Sequence, residues 1–376
     1  MRQISASQRA CYSLPAVLQI ILGFATLDVV SGQEILIPDR ISCPECRISV
    51  SRIAAVGDST GSGILGEYGS LRRFSDGHYF VQTGVQPGTI LVFGPDGRYL
   101  KSIGRRGEGP GEYTSPHVFD VRGDSLWVFD VTGRITMVFP GEVQTRNVPF
   151  APFDAIRFGN GLHVYATVAR IPQLIGIPFH VFDEASGTIV RSFGNPSGTY
   201  DPLDPYNAHR SIAPAGEREF WAGHSNRYVI EKWTVDGERV LRIERDAPWF
   251  KPWQGNVQPA RIAAPPPILH GVREDSAGIL WVFHRVADRD WAPQPPAEVR
   301  GSETRTSMKQ TNELWDTLIE AIDLRSGRVL GRVRFPQYVV GLAGENMFYT
   351  YQEVGAGHPQ YVVWRVSLAR SAPIST

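Results

Sequence analysis

Residues 104–130 read GRRGEGPGEYTSPHVFDVRGDSLWVFD and contain one period of a repeat around which the whole chain is organised. The period opens with a glycine-rich segment, continues as a short apolar run over residues 117–121, and turns at the polar residues 122–125. A second alternating run follows over residues 126–129. Short alternating runs that are separated by Gly and Asp are typical of β-strands joined in hairpins. The stretch therefore predicts two neighbouring strands that are entered through a glycine-rich crossing.

Weaker copies of the second run recur along the chain and share an aromatic or imidazole ring at one position. These ring positions are Phe80, Trp127, His163, Trp221, Trp281 and Phe348. A third and a fourth run meet at Asp-Gly or Ser-Gly turns, as in TILVFGPDGRYLKSIG at residues 89–104, and glycine suits such turns because it tolerates positive φ. Four strands per period, repeated six times at intervals of roughly 40 to 60 residues, predict an all-β six-bladed β-propeller with four-stranded antiparallel blades.

The two ends of the chain are expected to share a blade. The sequence stops at a third strand over residues 361–368, whereas residues 47–57 resemble the end of a period. Pairing them closes the last blade and removes an exposed sheet edge. The predicted blades cover residues 68–104, 113–150, 152–194, 209–244, 268–335, and 336–368 together with 47–57.

Composition excludes several classes of protein. The 376 residues hold 38 Lys plus Arg and 38 Asp plus Glu, so no net charge attracts nucleic acid or an anionic membrane. The 38 Gly and 28 Pro fit a turn-rich β chain. Helical periodicity after the N-terminal segment is confined to residues 307–318. We expect a monomeric propeller over residues 47–370 that does not bind nucleic acid.

The first 32 residues differ from the rest. Arg2 and Arg9 precede an apolar stretch over residues 14–30, which is typical of a secretory signal peptide. A retained membrane anchor is the alternative interpretation, but Asp28 shortens the apolar stretch below the length of a membrane span. Cleavage predicts an exported protein, periplasmic or secreted, with no membrane span in the mature chain.

An N-terminal lead over residues 33–46 carries Cys43 and Cys46 in the motif CPEC. Four interpretations compete. A redox dithiol lacks a surrounding βαβ pattern, a zinc site lacks a second pair of ligands, and two free thiols would have no specific role. In an exported chain, a local disulfide between Cys43 and Cys46 is favoured, and it would stiffen the entry into the first blade strand.

The string VFGPDGRYLKSIGRRGEGPGEY, followed by an alternating run and LWVFDVTGRITMVF, resembles the NHL-type repeat of TolB-like six-bladed β-propellers exported by bacteria. The resemblance covers nearly all of the chain after residue 47 and implies the propeller fold. The family includes peptide-amidating lyases, and related six-bladed folds include lactonases and strictosidine-synthase-like enzymes. The lyases use histidine-bound metal near Tyr and Arg, but no residue of this chain is assigned a role from that motif. One scaffold hosts unrelated functions, so the resemblance implies no single activity.

Strands of a propeller blade alternate in direction from the axis outwards. Crossings between blades and loops between second and third strands therefore lie on one face. The three long insertions, residues 195–208, 246–267 and 285–313, all belong to that face, which we call the inserted face. Short hairpins occupy the opposite face, which we call the hairpin face.

The same alternation of strand direction places several histidines on the inserted face. Five of them and one carboxylate are candidates for ligand binding: His117, His209 and His270 near the starts of innermost strands, and His224, His284 and Asp130 at the ends of second strands. Converging imidazoles at a channel mouth could bind Zn²⁺ or another divalent ion such as Ca²⁺, with His117, His209 and His270 as the ligands. Histidines at strand ends also cap loops or fill space, and no HExxH-type spacing favours metal over that interpretation.

Two tryptophans on the insertions, Trp253 and Trp291, complete the candidate site. They could offer a platform for a small molecule, or they could pin the Pro-rich loops to the scaffold. The sequence thus predicts a binding or interaction module for a small molecule, a protein or a peptide. The alternative is a metal-dependent lyase or hydrolase, lactonase-like or amidating-lyase-like, with a His-lined channel mouth.

Overall fold

Six antiparallel sheets surround a central channel in the computed structural model of the protein. The structure describes residues 32–150, 152–167, 172–194, 201, 203–255, 263–293 and 307–370. The predicted signal peptide, apart from Gly32, lies outside the described residues, as do parts of all three insertions. The prediction of an all-β six-bladed β-propeller is confirmed.

The strands are numbered along the chain. The first two are β1 (Gln33–Pro38) and β2 (Cys46–Val56). Blade one consists of β3 (Gly69–Arg73), β4 (Tyr79–Thr83), β5 (Ile90–Phe93) and β6 (Tyr99–Ile103). The crossing to blade two holds the short strands β7 (Arg105–Arg106) and β8 (Glu112–Tyr113). Blade two consists of β9 (Pro116–Arg122), β10 (Ser125–Asp130), β11 (Arg134–Phe139) and β12 (Glu142–Asn147).

The remaining blades follow the same order. Blade three consists of β13 (Asp154–Arg157), β14 (Leu162–Ala166), β15 (Phe179–Asp183) and β16 (Thr188–Phe193). Blade four consists of β17 (Arg210–Pro214), β18 (Glu219–His224), β19 (Val229–Thr234) and β20 (Arg239–Asp246). Blade five consists of β21 (Ile268–Glu274), β22 (Ile279–Ala287), β23 (Trp315–Asp323) and β24 (Arg328–Phe335). Blade six consists of β25 (Val339–Gly344), β26 (Met347–Val354), β27 (His358–Arg370) and β2, and the short helix α1 (Met308–Asn312) precedes β23.

The sequence repeat corresponds to a structural register. Each of the six ring positions lies on the second strand of its blade and pairs with the matching residue of the innermost strand. These partners are Arg72, Asp120, Arg157, Ala213, Arg273 and Leu342. The rings themselves are buried, because the faces of adjacent blades pack against each other through them.

The ring of blades is closed by the N-terminal strand, as predicted. β2 pairs antiparallel with β27 from Cys46 opposite Arg370 to Val56 opposite Tyr361. Neighbouring innermost strands contact one another all the way round, ending with β25 against β3. β2 therefore covers the edge of β27 and completes blade six as its outermost strand.

The N-terminal lead forms more structure than the sequence indicates. β1 adds to blade four as a fifth strand, parallel to β20. Ile41 then bridges to Val329 of blade five, and Cys43 is joined to Cys46 by a disulfide just as β2 begins. The lead therefore runs along the outer strands of blades four, five and six.

Asp39 anchors this lead in a buried charge network. Its carboxylate accepts hydrogen bonds from Arg245 at 3.1 Å and from Arg332, and both guanidinium groups also bind Glu320 between blades four and five. Burial alone would raise the pKa of Glu320, but contacts with His284, Arg245 and Arg332 lower the pKa to about 2. Glu320 is therefore ionised at neutral pH and holds both arginines.

Among the described residues, no helix is both long and apolar enough to cross a membrane. The predicted helical segment over residues 307–318 contains α1, whose first turn is closed by a capping box between Ser307 and Gln310.

Candidate functional site

The axial channel widens into a cavity at each end. The cavity towards the inserted face has a volume of about 240 Å³, and we call it the channel chamber. It is lined mainly by residues at the starts of innermost strands, where the crossings arrive. The cavity towards the hairpin face, of about 470 Å³, is lined by the ends of the same strands. The inserted face therefore opens onto a chamber of its own.

Three of the predicted histidines meet in the channel chamber. His117 from blade two, His209 just before blade four and His270 from blade five all line it. Nδ1 of His117 is hydrogen-bonded to Ser70 Oγ at 3.0 Å, and Nδ1 of His209 to Ser225 Oγ at 2.6 Å. These bonds fix the orientation of the two imidazole rings, although His117 and His209 lie far apart in the sequence.

His270 reaches the chamber through a β-bulge. The register of β21 and β22 shifts between Leu269 and Gly271, which leaves His270 as the extra residue. A bulge redirects one side chain without disturbing the rest of the ladder. A Cβ on Gly271 would come within 2.6 Å of Leu342 Cδ1, so a larger residue directly after the bulge would require the Leu342 side chain to move.

All three imidazoles are held neutral. Burial, with the Arg72 charge as the second cause, lowers the pKa of His117 to about 4, and burial with the Arg210 charge does the same for His209. For His270, burial and the Arg285 charge lower the pKa well below its usual value. Neutral imidazoles can donate or accept hydrogen bonds, or act as bases, but they carry no charge at neutral pH.

Charged residues from alternate blades form the floor of the chamber. Arg72, Asp154 and Arg273 line both cavities, and we call these three residues the channel belt. Arg72 Nη2 donates to Asp154 Oδ1 at 2.6 Å, and Arg273 Nη1 donates to the carbonyl oxygen of Ile212 at 3.1 Å. The belt therefore lies where the two cavities adjoin.

Aromatic rings from the insertions form the rim. Tyr206 of the first insertion contacts Trp253 of the second with ring centroids 5.1 Å apart. Trp253 and Trp291 both pack against a small core that includes Trp315. Trp253 Nε1 donates to the Pro267 carbonyl oxygen at 2.7 Å. The two tryptophans thus tie the described parts of the insertions together, the arrangement expected of loop pinning.

Phe153 is the exposed ring nearest the chamber. It lies one residue before β13, lines the chamber, and is 52% exposed. Its ring contacts the His209 imidazole at 4.7 Å. Few large apolar side chains of the described residues are as exposed, so Phe153 offers an apolar contact at the entrance.

The structure places the other three candidates away from the chamber. Asp130 is 1% exposed and accepts hydrogen bonds from the backbone N–H groups of Thr114, Ser115 and Thr132, and from the Thr132 hydroxyl. One carboxylate oxygen holds the crossing into blade two, and the other holds the turn after β10. Asp130 therefore caps the two loops at the end of its strand.

His224 and His284 are buried inside the blades. His224 Nε2 is hydrogen-bonded to Glu231 at 3.1 Å. His284 is 0% exposed, lies 3.7 Å from Glu320, and is surrounded by the rings of Tyr228, Trp249 and Phe250. Their strands end on the inserted face, but neither side chain lines the channel chamber.

Sequence reasoning missed the channel belt and Phe153. Two belt residues, Arg72 and Arg273, pair with the ring positions Phe80 and Trp281. A charged residue in the middle of an innermost strand, where a core side chain is expected, could have indicated them. The glycine that follows His270 was a weaker indication of the bulge.

The predicted metal ligands do not form a compact set. Within the ranges that the structure describes, one group of three has its ligand atoms within 4.8 Å of one another, namely Cys43, Glu45 and Cys46. Both sulfur atoms of that group are engaged in the disulfide. The imidazoles of His117, His209 and His270 share a cavity but are not in such a group. Binding of Zn²⁺ or Ca²⁺ by these histidines stays a prediction.

Comparison with known proteins supports the fold. Residues 62–176 match a family model described as a 6-bladed β-propeller. The chain is similar to the crystal structure of a Bacteroides fragilis protein provisionally described as exported, with a TM-score of 0.55 and 11% identity over 89% of this chain and 100% of that one. At this identity the likeness shows the fold alone.

Two further solved structures are similar at lower scores. A streptogramin B lyase matches with a TM-score of 0.42 and 12% identity over 86% of this chain and 98% of that one. The WD40 domain of Neurospora crassa Pan2 matches with a TM-score of 0.41 and 10% identity over 84% and 95%. No curated protein matches the chain.

Proposed function

We propose that this protein is an exported binding module of the NHL-repeat or TolB-like type, and that its ligand is a small molecule held in the channel chamber. One observation carries the proposal: His117, His209 and His270, from three different blades, line one cavity at the inserted face. Polar side chains that converge in a concave site are typical of ligand recognition.

The size of the chamber favours a small ligand over a protein or peptide. Its volume of about 240 Å³ lies just below the range of roughly 300–1,000 Å³ that is usual for small-molecule sites. Of the aromatic rim formed by Tyr206, Trp253 and Trp291, Tyr206 lies beside the chamber, with its ring centroid 6.1 Å from that of His209. Export is supported by the composition of residues 1–32.

The test is a ligand-observed saturation-transfer NMR screen with small aromatic fragments. Ser70 contacts His117 in the chamber, so Ser70→Trp fills that cavity. Ser276→Trp is the matched control, because Ser276 is exposed and lines the cavity of the hairpin face. We expect fragment signals that Ser70→Trp abolishes and Ser276→Trp retains. Fragments that bind Ser70→Trp as well as the wild-type chain would contradict the proposal.

The second candidate, a metal-dependent lyase or hydrolase, is favoured by one observation, the meeting of three neutral imidazoles. Metal analysis of untagged protein that begins at residue 33 tests it. About one equivalent of zinc or calcium, lost in the double variant His117→Ala and His270→Ala, would support the enzyme. Metal-free protein that is folded and inactive on lactones and amidated-peptide precursors would contradict it.

A further inference from the structure

The channel belt carries more positive than negative charge. Arg72 and Arg273 face a single carboxylate, Asp154. That carboxylate is already occupied, because Oδ1 accepts from Arg72 at 2.6 Å and Oδ2 accepts from the Ile212 backbone N–H at 3.3 Å. One guanidinium of the belt is therefore left without an anion of its own.

Arg273 is that guanidinium. It is 8% exposed, yet it forms no ion pair within 4.0 Å with any carboxylate of the described residues. Nη1 donates only to the carbonyl oxygens of Ile212 and Val272. Burial, followed by the Arg72 charge, lowers the pKa of Arg273 to about 10, which still leaves the group protonated at neutral pH.

An unpaired buried charge is costly, and proteins almost always supply a counterion. The nearby histidines cannot supply one, because a neutral imidazole carries no negative charge. Arg285, which contacts His270 at 3.4 Å, adds positive charge and itself donates to carbonyl oxygens of Val339 and Val340. This excess of positive charge therefore indicates that a bound anion completes the chamber.

Phe153, the exposed ring at the entrance of the chamber, indicates the rest of the ligand. Phe153 lies one residue from Asp154 and exposes half of its ring at the entrance of the same cavity. An apolar, flat group above the belt would bury that ring, and stacking against an aromatic ring contributes beyond the area that it buries.

We propose that the chamber binds a small aromatic carboxylate, with the carboxylate paired to Arg273 and the ring lying against Phe153. The inference rests on the proposed function and names its ligand class. A guanidinium matches a carboxylate in a two-bond, planar arrangement. A carboxylate also supplies the negative charge that Arg273 lacks. Arg210 lines the same chamber and donates to the carbonyl oxygens of Asn207 and His209, so it adds to the positive charge around the ligand.

Matched compounds test whether the negative charge of the ligand contributes to binding. Phenylacetate, phenylacetamide and phenethylamine have similar shapes and differ in charge, and inorganic phosphate tests for an anion without a ring. We expect phenylacetate to bind at least about tenfold more tightly than the amide or the amine, which is the effect of one charge-assisted contact. This comparison uses the wild-type chain and does not depend on the folding of any variant.

Variants then locate the contact. Arg273→Gln should remove the preference for phenylacetate over its amide, and Arg273→Lys should retain part of it. Arg98→Gln is the control, because Arg98 is an exposed arginine in a blade-one hairpin. Phe153→Ala should weaken phenylacetate and phenylacetamide alike. Thermal melts should show Arg273→Gln as stable as the wild-type chain, because the variant removes an unpaired charge.

Several outcomes separate the two proposals. Equal binding of acid and amide, binding of phosphate as tight as that of phenylacetate, or a preference that survives Arg273→Gln would overturn the carboxylate inference. If such binding is still lost in Ser70→Trp, the chamber remains the ligand site and the proposed function stands. If no compound binds in a way that Ser70→Trp abolishes, both proposals are overturned.

Discussion

Single residues in this protein divide into those that build the propeller and those that face its channel. Asp130 and His117 lie close together in sequence, and both were predicted as ligand residues. Asp130 accepts two hydrogen bonds from the crossing into blade two and two from the turn after β10, whereas His117 lines a cavity. The distinction depends on hydrogen-bond partners, which a strand pattern does not specify.

We expect Asp130→Ala to lower the free energy of unfolding by at least about 2 kcal/mol, because it leaves buried N–H donors without acceptors. Asp96→Ala is the control, since Asp96 is exposed and accepts from the Arg98 N–H in a comparable turn. Its effect should stay below about 1 kcal/mol. Urea denaturation measures both. Equal effects of the two variants would contradict a capping role for Asp130.

The chamber histidines make stability depend on pH. The pKa of His117 and of His209 is about 4 in the folded chain and about 6.5 when unfolded. Between these values the unfolded chain binds more protons, so the free energy of unfolding falls as pH decreases from about 6.5 towards 4. Acidic residues with lowered pKa add to the loss only below about 4.5.

We therefore expect the wild-type chain to be less stable at pH 5 than at pH 7. The double variant His117→Gln and His209→Gln should show a smaller difference. His78→Gln, in a hairpin of blade one, is the control and should keep the wild-type difference. Denaturant titrations at the two pH values provide the measurement. A double variant with the wild-type pH dependence would show that these imidazoles are not buried neutral groups.

At the scale of elements, the N-terminal lead contacts three consecutive blades that lie far from it in the sequence. β1 extends blade four, and Asp39 binds Arg245 and Arg332 beneath it. A parallel fifth strand has no hairpin to reveal it, so the sequence pattern of residues 33–38 gave no indication of its partner.

Asp39→Asn should lower the free energy of unfolding by about 1.5–3 kcal/mol, because hydrogen bonds to charged groups contribute that much. Glu34→Gln is the matched control on the same lead. Glu34 binds Arg239 at 3.1 Å on the exposed side of β1, and such surface pairs contribute about 0.2–1 kcal/mol. A loss no larger in Asp39→Asn than in Glu34→Gln would contradict the anchoring role.

At the scale of the whole molecule, closure of the ring depends on β2. A chain that begins at residue 39 lacks only the fifth strand of blade four and should still unfold cooperatively. A chain that begins at residue 57 lacks β2 and leaves the edge of β27 open. We expect it to aggregate, because an unpaired edge strand templates further pairing. Thermal melts and size-exclusion chromatography compare the two; a soluble, cooperative chain from residue 57 would contradict this account of closure.

The fold was predictable from sequence to within a few residues at each blade, because turn chemistry and alternation are local. The chamber was predictable in part: positions at the starts of innermost strands indicated His117, His209 and His270. Arg72, Asp154 and Arg273 were not identified, because their meeting is set by the ring of blades. His224 and His284 show a second limit of prediction from sequence. The ends of their strands were predicted correctly, but the direction of their side chains was not.

Binding in the channel chamber is the central claim, and histidine NMR tests it most directly. The chain has nine histidines, which can be labelled with ¹³C at Cε1 and assigned by single His→Gln variants. On titration with the fragments that bind the wild-type chain, we expect the signals of His117, His209 and His270 to shift together while those of His78 and His358 stay in place. Shifts confined to histidines outside the chamber, or binding without any shift of these three, would contradict the claim.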